Sequence, residues 1–177
     1  SNIDQMHSNI KRLYEGSEES RIGVPLALQA YQLAHVATDY IGAALVLEKE
    51  SPRFWLPTLQ LTGHAMECSL KSCLAAANAL PPNKHDLVEL CKIVGAQGFA
   101  LDDPSLAMIV HLNHLYYQDL ATGTKFKTRY PARTVEQHGG VVPSLATFVA
   151  IIRSILEQAR RRTALPYQVM FGTLQLP

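Results

Sequence analysis

A chain of 177 residues, 47% hydrophobic and 18% charged, is long enough for one domain with a true core and lies outside the composition of disordered segments. Its net charge of +1 provides no global field to attract nucleic acid, so any such binding has to rest on a local patch. Cys68, Cys73 and Cys91 form no CxxC pair, which disfavours a disulfide framework or a zinc ribbon and fits a reducing cytoplasm.

In chain order, residues 1–23 read as a polar N-terminal extension with a short helix around Ile10, Leu13 and Tyr14, ended by Gly16 to Ser20. Pro25 suits a first helical turn, and Leu26, Ala30, Leu33, Ala37, Ile41, Ala44 and Leu45 recur at three and four, predicting a helix over 26–50. Ser51-Pro52 stops it. A second helix is predicted from about Arg53 to Ala79, with Leu56, Leu59, Ala65, Met66, Leu70, Cys73, Leu74 and Ala77 inward and Gly63 marking a close approach or a bend. Pro81-Pro82-Asn83 ends it in a turn.

His85 to Gly95 forms a third, shorter amphipathic segment, with Asp86 at its electropositive start. A fourth is capped by Asp102 or Asp103 and led by Pro104, and runs to about Leu120 with Leu106, Ile109, Val110, Leu112 and Leu115 inward. A basic, turn-rich loop follows over 121–142. The last helix spans Pro143 or Ser144 to about Arg162, and the tail over 163–177 fits either a short strand or a packing arm. No segment sustains two-residue alternation. The expectation is an all-α domain over 24–162, an antiparallel bundle of about five helices. No stretch reads as a signal peptide or membrane span, so the chain is expected in the cytoplasm without membrane contact.

Three segments carry a family resemblance. Ala65-Met66-Glu67-Cys68-Ser69-Leu70-Lys71-Ser72-Cys73-Leu74 resembles the apolar-Glu-x-x-Leu-Lys-x-x-Leu helix of the HEPN (higher eukaryotes and prokaryotes nucleotide-binding) family. His85-Asp86-Leu87 resembles the start of that family's next helix. Tyr117 with Arg129-Tyr130-Pro131 resembles its loop before the last long helix. The resemblance covers roughly residues 25–162. It implies a HEPN-like bundle acting as a homodimer with a cleft at the dimer face. The family's members include metal-independent ribonucleases of toxin or defence type, and others that bind nucleotides, RNA or partner proteins; a toxin would have an antitoxin-like partner.

In ribonuclease members an Arg is followed four to six residues later by His, a spacing met here by Arg133 and His138. Thr134 stands where Asn or Asp often follows the Arg, and Gly139-Gly140 come next. Cleavage by the 2′-hydroxyl needs a proton acceptor, a proton donor and a cation for the phosphorane; histidine and arginine supply these without a metal or cofactor. Glu67 and Lys71 lie one helical turn apart, so they form either a surface ion pair or, as the family pattern implies, a carboxylate orienting the catalytic groups beside a phosphate-binding lysine. His85 is a turn residue or a ligand contact. Arg129 reads as a loop anchor or phosphate contact, and Tyr117 and Tyr130 as packing residues or base-stacking platforms. Loop structure alone, or a plain helical interaction domain, accounts for the same residues. His111 and His114 share a helix face but lack further ligands, so no metal is assigned.

Overall fold

Proline 25 ends the disfavoured start of the first long helix by offering its carbonyl to the N–H groups of Leu28 and Gln29. The protein is described here by a computed structural model covering residues 3–8, 25–50, 55–118, 123, 125 and 144–163. Residues 3–8 are helical. Five longer helices follow: α1 (Leu26–Glu50), α2 (Trp55–Ala76), α3 (Leu87–Ala96), α4 (Asp103–Tyr116) and α5 (Leu145–Arg162). No strand occurs among the described residues; Gln118 and Lys125 form one isolated antiparallel bridge. The chain is all-α, as its periodicity predicts.

The centre of the molecule is α2. Its buried residues from Leu59 onward lie on nearly every side, including Thr62, Gly63, Glu67, Ser69 and Ser72. A helix covered on all sides has to satisfy its polar groups internally. Ser69 returns its hydroxyl to the Ala65 carbonyl at 2.7 Å, and Ser72 donates to the Ala30 carbonyl at 2.7 Å. Ser72 meets Ala30 while His64 meets Tyr40 edge-on, ring centroids 4.5 Å apart, so α1 and α2 run antiparallel. The buried stripe of α1 is mostly alanine: Ala30, Ala34, Ala37, Ile41 and Ala44. Small side chains let the two helices approach closely along their length.

The remaining helices close around α2. Asp86 caps α3, accepting from the N–H groups of Val88 and Glu89, and Asp102 caps α4 through Ser105. The α3–α4 connection is held from α5. Gln158 pairs both ways with the backbone of Ala100, and the Arg162 guanidinium donates to the carbonyls of Gln97 and Gly98 while lying over the Phe99 ring. The arginines that end α5 thus do structural work: Arg162 anchors the connection and Arg160 pairs with Glu157.

The phase of α4 departs from the sequence expectation. Ile109, Leu112, Asn113 and Tyr116 are buried, while Val110 is 40% exposed. Two polar side chains turn inward because partners await them, and that rotates the helix away from the purely apolar register.

Candidate functional site

The middle of α2 carries a carboxylate that is almost wholly buried: Glu67 retains 2% of its surface. Burial alone would push its pKa up, but the nearby His64 ring and hydrogen bonds from Lys71 and His85 outweigh this and hold the carboxyl ionised well below the usual range. Lys71, one turn along, donates to Oε1 at 2.7 Å. Tyr116 of α4 donates its hydroxyl to Oε2 at 2.9 Å. The Nδ1 of His85 stands 3.1 Å from both carboxylate oxygens. The Nδ1 of His64 lies 3.8 Å from Oε2.

Each partner is delivered by a local device. Lys71 and His64 sit at i+4 and i−3 from Glu67, which places them on its helix face. His85 is placed by its neighbours. Asp86 caps α3 and also accepts from Asn113 Nδ2 at 3.2 Å, while Asn113 Oδ1 takes the Leu87 N–H at 2.8 Å. Leu87 is fully buried. The His-Asp-Leu segment therefore divides its labour into carboxylate partner, helix cap and core anchor. Tyr116 is admitted by Gly63: a β-carbon there would collide with Cγ and Cδ2 of the tyrosine ring.

Ionised Glu67 can only accept, so His85 donates to it through Nδ1. Tyr116 spends its proton on Glu67, so its oxygen is the acceptor for His64 Nδ1 at 3.5 Å. The neighbouring Cys68 and Glu67 side chains outweigh burial and push His64 up to about 9. Both rings reach the surface, the His64 side chain 31% and the His85 side chain 39% exposed. The cluster is anchored inside and open outside.

Lys71 also lines an open groove of about 470 Å³. Gln29, Gln32, Leu33 and Val36 of α1 form one wall, and Pro81, Pro82 and Asn83 the other. The cluster and the groove thus share a lysine.

Of the residues singled out in the sequence, Glu67, Lys71 and His85 come together. Tyr117 does not join them; it ends α4, half-buried, with the Lys125 ammonium 5.6 Å from its ring centre. Arg129, Tyr130, Arg133 and His138 lie outside the described residues. Sequence reasoning missed His64 and Tyr116. His64 was signalled by its i−3 spacing from Glu67, and Tyr116 by its place seven residues after Ile109. Among the described residues no three His, Cys, Asp or Glu groups converge as a metal site requires, and no helix is long and apolar enough to cross a membrane. Compared with known proteins, the chain matches no family model, no curated protein and no solved structure.

Proposed function

We propose that this chain is a HEPN-like helical module that binds a nucleotide or single-stranded RNA through the cluster organised by Glu67. The observation that carries the reading is one buried carboxylate holding His64, Lys71 and His85 in fixed directions, with both histidine rings open to solvent. His64 and Lys71 bring two positive charges against the one negative charge of Glu67, so positive charge is concentrated at the cluster. Phosphate oxygens are matched by such pre-oriented donors, and pre-orientation lowers the entropy lost on binding. The groove beside Lys71 has the size of a small-molecule site and mixes amide side chains with apolar walls, which suits a base or sugar attached to the phosphate.

The test is fluorescence anisotropy with a labelled single-stranded RNA of about a dozen nucleotides, titrated at several salt concentrations. Binding is expected to weaken as salt rises, as phosphate contacts require. The double variant His64→Ala/His85→Ala is expected to weaken it about tenfold or more, while Lys92→Ala, an exposed cation on α3, leaves it unchanged. Absence of binding by the wild type, or equal binding by the double variant, overturns the reading.

A further inference from the structure

We propose that the groove beside Lys71 is the docking site of this chain's own N-terminal helical segment, residues 3–8. That segment holds its apolar side chains in water: Ile3 keeps 76% of its surface exposed and Met6 59%. The two are three residues apart, so in a helix they share one face. A helix this short is marginal in water on its own and gains stability by packing its apolar face. The groove offers a surface for that face. Gln29, Leu33 and Val36 recur at four and three along α1 and form one wall, and Pro81 and Pro82 stand in the other. Leu28 and Leu80, both exposed, directly precede Gln29 and Pro81, so apolar surface continues past the walls. The stripe from Gln29 to Val36 extends about 10 Å along α1, and six helical residues extend about 9 Å, so groove and segment agree in length.

Chain connectivity selects the occupant. Residues 9–24 join the segment to Pro25, which leads into α1 four residues before Gln29, a residue of the groove wall. A connection of that length spans up to about 55 Å when extended, several times the length of the groove, so the segment reaches the groove of its own copy. The tether also sets a local concentration on the order of millimolar, which sustains a contact of two anchors that free molecules would not keep. The base or sugar of a bound nucleotide is assigned to the same groove, so the docked segment competes with RNA. That competition rests on the RNA-binding reading above; the docking itself does not.

The experiment is disulfide trapping in the full chain, whose native thiols Cys68, Cys73 and Cys91 are buried. Met6→Cys with Val36→Cys places one thiol on the segment and one in the groove wall. Under mild oxidation this pair is expected to link at a rate independent of protein concentration. Adding Ile3→Ser, which removes an anchor and keeps the tether, is expected to slow linking about tenfold or more. Equal rates with and without Ile3→Ser overturn the docking. A linking rate that rises with protein concentration assigns the segment to a second copy and overturns it as well. The anisotropy titration then tests the competition. Ile3→Ser/Met6→Ser is expected to tighten RNA binding about threefold or more, because a partly blocked groove lowers apparent affinity by the fraction left open. Equal RNA affinity in wild type and variant overturns the competition. RNA bound by neither protein, with the anchor-dependent linking retained, overturns the RNA-binding reading and leaves the docking standing.

Discussion

The ring of Tyr116 occupies the space that a side chain at Gly63 would fill, and this contact brings the tyrosine hydroxyl to Glu67. A glycine in the middle of a helix ordinarily costs about 1 kcal/mol relative to alanine. Here it is retained where a fully buried aromatic ring lies against the helix backbone. Gly63→Ala is therefore expected to destabilise the protein by about 1–3 kcal/mol, the usual cost of overpacking, despite its better helix propensity. Urea denaturation measures this, and a stabilised variant would show that Tyr116 has room to move.

Acid should act on the protein chiefly through Glu67. Its folded pKa lies below the ordinary value of 4.5, so its contribution to stability is fully present above that value. As pH falls further, the unfolded chain takes up the proton first and the contribution is lost. Glu67→Gln is expected to be less stable at neutral pH by about 3–5 kcal/mol, because it strands buried partners, and to lose less stability between pH 5 and 3, as general ranges for such pairs and carboxylates indicate. Denaturation curves of equal acid sensitivity would remove Glu67 from this role.

The sign is opposite for His64. Its folded pKa is raised from 6.5 to about 9, so the stability it contributes is complete below pH 6.5 and is lost as pH rises toward 9. Thermal unfolding between pH 6.5 and 9 should show a decline in the wild type that His64→Ala lacks. The side chain is 31% exposed, so solvent screening keeps the effect small.

Asn113 joins α4 to the start of α3 through Leu87 and Asp86. Asn113→Leu leaves the buried Leu87 N–H without its acceptor, a loss of about 1–3 kcal/mol. It should also release His85 from its place beside Glu67. Reduced stability together with weakened RNA binding in the anisotropy titration is the expected outcome; reduced stability with full binding would detach His85 from the cap.

The sequence revealed the long helices because apolar spacing and proline stops act locally. The 26–50 prediction matches α1, and Asp86, Asp102 and Pro104 all stand at helix starts. It revealed three of the five residues of the site, because Glu67 and Lys71 share a turn and His85 opens a helix-start motif. Tyr116 was hidden beside Tyr117: two adjacent tyrosines carry the same chemistry, and only the true phase of α4, set by buried Asn113, chooses between them. Gly63 signalled a close approach, but its partner lies on another helix far along the chain. His64 was outweighed by the Arg133–His138 spacing, a pattern visible in one dimension, whereas the Glu67 cluster becomes complete only when α2, α3 and α4 meet.

The account turns on Glu67 holding both imidazoles with Nδ1 inward. Long-range proton–nitrogen NMR of the histidine side chains reads this directly, because the two ring nitrogens report which one carries the proton. At a pH where His85 is neutral, its proton should reside on Nδ1, against the usual preference of free imidazole for Nε2, and Glu67→Leu should restore that preference. A His85 ring with its proton on Nε2 in the wild type, or one unaffected by Glu67→Leu, would contradict the account.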